Sequence, residues 1–298
     1  MRPIRSILVA TDLSPRSDAL VRAGAALAAT VGAELHLLYS FELTSAPGES
    51  APATFPERVA QAEQALRDQV ERAVPSQVEV ASGEVVIYAA HKAILDRAEA
   101  VSADLIVLGA HRKRATGDVL LGTTADRVVR TSPVPVLVMR GELRFPLGRV
   151  VAPIDLAHPA RESLDYAAWW ASSLGRSADG GEQTELRILH VVAPGKGGAD
   201  DDARARVAEE LREAAESALE RSPAGAAVRV DRDILWEKNP AEEIIRYADE
   251  TEADLIVMGT HGAGMIGRVL LGSVASVVVR RAPCPVLLVP PALWRDRS

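Results

Sequence analysis

Cysteine is nearly absent. Cys284, the one residue of its kind among 298, sits in the apolar run Pro283-Cys-Pro-Val286. No intrachain disulfide and no cysteine metal site can form, and a small buried hydrophobe is its expected role. Long apolar runs are missing too: none approaches the roughly 20 residues that cross a bilayer. The opening residues, MRPIRSILVATD, reach polar and acidic side chains too soon for a secretory leader. The expected compartment is the cytoplasm, with no membrane partner. Positive charge is in short supply. A formal net charge of −7 argues against a general nucleic-acid or anionic-membrane surface, a local basic patch aside. Three chemical signatures are also lacking. No Gly-Lys-Ser/Thr occurs, which removes the P-loop; no H-E-x-x-H spacing offers a zinc site; no G-x-S-x-G elbow presents a serine nucleophile.

What is there belongs to a globular protein. Hydrophobic residues make up 48% and charged residues 25%, and 298 residues suit about two domains. The chain repeats itself. Ala103-Asp-Leu-Ile-Val-Leu-Gly109 returns as Ala253-Asp-Leu-Ile-Val-Met-Gly259, and Leu120-Leu-Gly122 as Leu270-Leu-Gly272. Ser132-Pro-Val-Pro-Val-Leu-Val138 returns as Ala282-Pro-Cys-Pro-Val-Leu-Leu288. Ile7-Leu-Val-Ala-Thr-Asp-Leu13 matches Val150-Val-Ala-Pro-Ile-Asp-Leu156, and Glu34-Leu-His-Leu-Leu38 matches Glu185-Leu-Arg-Ile-Leu189. Ordered matches of this kind mean a tandem duplication rather than a solenoid of short units. The copies are expected over 1–141 and 149–291, joined near Gly141-Glu-Leu-Arg-Phe-Pro-Leu-Gly148.

Within copy one, short β-branched runs alternate with longer amphipathic ones. Strands are expected near 5–10, 34–40, 77–87, 104–108 and 134–139. Helices are expected near 15–31, 57–73, 91–101 and 119–130, and copy two repeats the order from about 149. Nearly all-apolar strands suit a parallel sheet covered on both faces. The fold class expected is α/β, with two similar doubly wound domains, each a five-stranded mostly parallel sheet with helices on both faces. The segments Glu42 to Pro56 and Ala193 to Asp202 are rich in Pro, Gly, Ser and Asp. They read as mobile connectors, or as lids over a site. Leu211, Leu219 and the pair Trp169-Trp170 are expected in cores or at the seam between copies.

The chemistry centres on Gly259-Thr-His-Gly-Ala-Gly-Met-Ile-Gly-Arg-Val-Leu-Leu-Gly-Ser273, five of whose fifteen residues are glycine. It follows an apolar strand and precedes a helix. That is the carboxyl edge of an open sheet, where backbone N–H groups and the positive helix end invite a phosphate. The dinucleotide fingerprint fits at Gly262-Ala-Gly264-Met-Ile-Gly267, but on the wrong βα unit and with no acidic residue before Asp296. It is taken as accidental. A different pattern fits in full: Gly259 and Gly262, nine residues, then Gly272-Ser273.

These motifs together resemble the universal stress protein family in its tandem form, over nearly the whole length. They include Asp12 and Asp155 after the first strand of each copy, the Ala-Asp-Leu-Ile-Val-x-Gly strand, the spaced glycines and the closing Pro-x-Pro-Val strand. The resemblance implies a Rossmann-like, adenine nucleotide alpha-hydrolase-like fold and an ATP site, with Mg²⁺ on the phosphates. It implies that Gly259, Gly262, Gly272 and Ser273 cradle phosphates and ribose. Asp155 would then sit in the pocket and Val191 would line the adenine. A helix-capping hydroxyl is the other role open to Ser273.

Copy one keeps Asp12, Gly109, Gly122 and Thr123 but replaces the second glycine by Arg112, followed by Lys113 and Arg114. Three readings stay open. The basic residues add charge-assisted contacts to a triphosphate; or Arg112 fills the phosphate space; or the loop is simply solvated. Copy two is expected to bind ATP more tightly. No general base stands out beside Asp155, and Arg268 is the only cation in the copy-two glycine segment. His111 and His261, at matching positions, read as loop residues directed at backbone. A nucleotide-binding regulatory protein of the stress response is therefore expected ahead of a slow ATPase or adenylyl-transfer enzyme, and ahead of a scaffold without ligand. The last strands, Val134 to Met139 and Val286 to Val289, are expected at sheet edges. In the resembled family such edges pair between domains, here within one chain, with a homodimer still open.

Overall fold

The computed structural model describes residues 3–42, 55–110, 121–156, 161–176, 183–192, 201–222, 228–260 and 271–291. The first half runs β1 (Ser6–Thr11), α1 (Ser17–Val31), β2 (Glu34–Phe41), α2 (Phe55–Ala73), β3 (Val80–Ile87), α3 (Ala90–Ala100), β4 (Leu105–Gly109), α4 (Thr123–Thr131) and β5 (Val136–Met139). The second half repeats it as β6 (Arg149–Pro153), α5 (Arg161–Ser173), β7 (Thr184–Val192), α6 (Asp201–Glu220), β8 (Val228–Trp236), α7 (Pro240–Glu250), β9 (Leu255–Gly259), α8 (Ser273–Arg281) and β10 (Val286–Val289).

The strands form one ten-stranded sheet in the order β3-β2-β1-β4-β5-β10-β9-β6-β7-β8. Within each half all pairings are parallel. The exception is the seam, where β10 runs antiparallel to β5 and Leu287 faces Leu137. The expected pairing of last strands is thus present inside the chain. It joins two five-stranded α/β units through the edges that would otherwise lie open.

Alternation along each strand sends side chains to two helical layers. Ile7 and Val9 pack under α1 and α2, continuous with Ile188, Trp170 and Leu211 under α5 and α6. Leu8 and Leu108 face α3 and α4, continuous with Leu189 and Met258 under α7 and α8. Both cores therefore run across the seam. Each fully buried large side chain contributes roughly 1.5–3 kcal/mol. Leu211 and the edge-to-face pair Trp169 and Trp170 lie inside, as expected, and Leu219 packs against them. Cys284 is buried, and that burial pushes its thiol up to about 12.

Some expected boundaries move, each for a local reason. The helix expected from 119 begins at Thr123, because Gly122 is extended at φ −62°, ψ 151° and acts as N-cap. The last strand of copy one starts at Val136 rather than 134, after Pro135, which has no N–H to give a ladder. The connector expected over 42–56 ends earlier: α2 already includes Phe55 and Pro56, and a first-turn proline costs no helical hydrogen bond. Likewise α6 takes in Asp201 and Asp202, acidic residues that suit the positive helix start. Residues 43–54 and 193–200, the remainder of those two connectors, lie outside the described residues. The join is not a loose tether, since Leu143 and Leu147 are buried in the core.

Candidate functional site

In each half the chain leaves the first strand in one direction and returns on its other side, giving the local order 3-2-1-4-5. Such an order places a crevice beyond the carboxyl ends of β1 and β4 in the first half, and the matching position in the second half is at the ends of β6 and β9. In the first half the crevice is a cleft of about 350 Å³, within the usual range for small-molecule sites. Asp12 enters from the end of β1, Gly109 from the end of β4, and Gly122 and Thr123 from the start of α4. Three places that the sequence sets apart are thus brought together.

The start of α4 explains the glycine. Gly122 donates its N–H to Ala110 O at 3.2 Å, and Asp126 N returns to Gly122 O at 2.9 Å. The N–H groups of the turn between have no acceptor within the helix, and no side chain caps them. Thr123, exposed and lining the cleft at this turn, adds a hydroxyl. An anion is what such an arrangement accepts. Asp12 is fixed by a turn: its Oδ1 accepts from Ser14 N at 3.0 Å and Ser14 Oγ at 2.6 Å.

The second half repeats this frame. Gly259 ends β9, and Gly272, the N-cap of α8, donates to Thr260 O at 2.8 Å. Ser273 is the first helical residue and is exposed; the capping position falls to Gly272, which has no side chain. Asp155 follows β6, and half-buried Val191 lies near the end of β7 opposite Leu235. Gly262, Arg112, Lys113, Arg114, Arg268, His111 and His261 lie outside the described residues.

The first cleft has members that no motif announces. Arg16, Tyr39 and Ser40 line it. Tyr39 stacks on Phe41 at 5.7 Å between centroids. Burial, then the nearby Asp12 carboxylate, raise its phenol above the ordinary value, so it stays a proton donor. Ser40 donates to Tyr88 O at 2.6 Å and holds the place that Val191 holds in the second half. Aligning the two copies is the signal that finds it.

Behind the cleft sits a buried polar network. Thr11, a cleft residue, donates to Gln69 Oε1 at 2.7 Å, and Gln69 Nε2 donates to Ser17 Oγ and Asp18 Oδ1, both at 2.9 Å. Gln69 is fully buried. Burial opposes the charge on Asp18, but hydrogen bonds from Arg72 and Gln69 outweigh it and hold the carboxyl below its ordinary value. The network braces α2 against α1. In the second half Ile154 stands for Thr11 and Ala214 for Gln69, both buried and apolar.

The donors suit a nucleotide: helix-start amides for phosphates, one carboxylate for a hydroxyl, apolar walls for a base. Among the described residues no group of three or more His, Cys, Asp or Glu could cage a metal. Nor is any described helix long and apolar enough to cross a membrane.

Comparison with known proteins fits this frame. The model of the universal stress protein family matches residues 3–140 and again 146–290. A universal stress protein of Mycolicibacterium smegmatis is 28% identical, with 96% of this chain and 97% of the relative aligned. One of Methanocaldococcus jannaschii is 34% identical over 146 residues, covering 47% of this chain and 81% of the relative. The crystal structure of a universal stress protein from Archaeoglobus fulgidus has the same fold, with a TM-score of 0.63 at 23% identity over 96% of this chain and 98% of that one. The repeated sheet, its paired last strands and the double family match lead to one conclusion: this chain belongs to the universal stress protein family, with two such units in tandem.

Proposed function

We propose that the protein is an ATP-binding regulatory member of its family, holding nucleotide mainly at the second-half cleft. The observation that carries the reading is the crevice at the strand ends, closed on one side by a helix start whose N-cap is glycine. Amides at such a start meet a phosphate without a side chain in the way. Gly259, Gly262, Gly272 and Ser273 would take the phosphates and ribose, Asp155 a ribose hydroxyl, and Val191 the adenine face. Mg²⁺ would travel on the phosphates, which suits a site with a single carboxylate. Asp12, Gly109, Arg112, Gly122 and Thr123 would form a weaker first site, where an arginine replaces the second glycine.

Regulation rather than turnover is favoured by what surrounds Asp12. An ATPase needs a positioned base or water and charge stabilisation at the leaving group. The described residues of the first cleft supply one cation, Arg16, at its rim, and no histidine lines it. ATP would instead bias a conformation or a partner contact.

Mass spectrometry of small molecules released from the freshly purified chain, with phosphate release on the same batch, tests this. Bound ATP without turnover is expected. Gly272→Val should remove the tighter site and Gly122→Val only the weaker. Rapid ADP or AMP production would make the protein an enzyme. Loss of all binding on Gly122→Val alone would refute the ranking of the two clefts.

A further inference from the structure

Helix α8 joins the strand-end edge of the second half to residues that flank the first cleft. Its first residue, Ser273, follows Gly272 at the carboxyl end of β9, where the proposed second site lies. By its nine residues it is about 13 Å long, and its far end lies against the first half, because the strands of the two halves run in opposite directions. There its last carbonyls, which no helix can satisfy internally, are met by Arg140. The guanidinium donates from Nε to Ala282 O at 2.6 Å, and from Nη1 to Arg280 O at 2.7 Å and Val279 O at 3.3 Å. Burial lowers the pKa of Arg140, yet guanidinium stays charged. Its neighbours in the chain, Met139 and Gly141, both line the first cleft.

A second bond joins the same end of α8 to the wall of that cleft. Arg280 Nη2 lies 3.2 Å from Asp126 Oδ1. Asp126 is in the first turn of α4, which begins with the cleft residue Thr123, and Arg130 Nε holds its other oxygen at 2.7 Å. The reverse connection has no such parts. Pro290 occupies the place matching Arg140 and Ser276 the place matching Asp126. Proline has no donor for the end of α4.

We propose that α8 is a strut coupling the two clefts, held at the first by Arg140 and Asp126 and opening the second at Gly272-Ser273. The coupling of ATP sites rests on the nucleotide reading above; the strut itself does not. A ligand in the first cleft fixes Met139 to Gly141 and the first turn of α4. Those segments fix the end of α8, so the second cleft binds a helix already ordered. Linkage makes the effect reciprocal.

The test is ATP titration of the full chain by calorimetry. Filling one cleft should raise the affinity of the other about fivefold or more. Arg140→Ala should bring that factor near one while both clefts still bind. Asp126→Asn weakens the second bond, and the Arg130 pair with it, but leaves the Arg140 cap; it serves if Arg140→Ala fails to fold, and should lower the factor partway. Independent clefts in the parent chain, or a factor unchanged in both variants, would overturn the proposal. If fewer than two ATP bind, hydrogen exchange decides without ligand. Gly141 has φ +71°, so Gly141→Ala strains the backbone beside Arg140. It should speed exchange at amides 278–282 about tenfold, and not beyond the Arg140→Ala level in that background. Unchanged exchange would then sink the strut, whatever becomes of the nucleotide reading.

Discussion

The two halves share a sheet, a helix order and a crevice, yet they fill matched positions differently. Where α1 places Leu27, α5 places Trp170, and both are fully buried. Where the first half buries Gln69 among Thr11, Ser17 and Asp18, the second has Ala214 and Ile154. On the opposite face His36 bonds Ser82 at 2.8 Å, and burial pushes that imidazole down. The matching Arg187 instead joins Glu185 at 2.8 Å. The duplicated scaffold thus keeps its apolar alternation and lets polar clusters diverge. Apolar positions tolerate exchange if volume is kept, whereas a polar cluster changes as a set or leaves a group unpaired. The back wall of the first cleft is the clearest such set.

Matched core truncations test how separate the halves are and should have the largest effects. Trp170→Ala should cost about 4 kcal/mol and Leu27→Ala about 3 kcal/mol, read by urea unfolding. Because both cores cross the seam, each variant should shift one shared transition. Two transitions, one per half, would break the picture of a joint core.

Exchange of the polar set comes next. Gln69→Ala should destabilise by about 2 kcal/mol, since Thr11 loses a buried acceptor and Ser17 and Asp18 each lose a buried donor. Adding Thr11→Ile and Ser17→Ala, which carries the second half's apolar solution across, should recover most of that loss in the same assay. A triple variant worse than Gln69→Ala would mean that the wall is not transferable.

The smallest effect sets one acidic residue of α5 against pH. Burial, then the charge on Asp165, raise Glu162 to about 7 from 4.5. A carboxyl raised on folding binds its proton more tightly in the native state. Native stability is therefore undiminished below pH 4.5 and falls as pH climbs through 7. Glu162→Gln should stabilise the protein by about 1 kcal/mol at pH 8, solvent screening allowed for, and change little at pH 4.5. Equal effects at both pH values would show that the charge is not the cause. In α1 the matching position is Ala19, so no first-half counterpart shares this dependence.

Much of the fold could be read from the chain because its signals are local and doubled. Runs such as Leu105-Ile-Val-Leu and Val286-Leu-Leu-Val announce two-sided burial, and each appears twice. Asp12, Gly109, Gly122 and Thr123 were legible as one site because strand ends and helix starts share a sheet edge. Arg140 was not. Its partners lie about 140 positions on, and nothing in Val-Met-Arg-Gly distinguishes a helix cap from a solvated arginine. Gln69 was hidden for a like reason: on an amphipathic helix it reads as surface, and only its partners on β1 and α1 turn it inward. Residues that meet across the fold leave no spacing to recognise.

The antiparallel seam has a further consequence. Reversing strand direction between β5 and β10 sends the carboxyl ends of the two halves to opposite edges of the sheet. The two carboxyl edges therefore face away from each other. Whatever meets the strand ends of one half approaches from the side opposite to the strand ends of the other. Occupants of the two halves would therefore be reached from opposite sides of one continuous sheet.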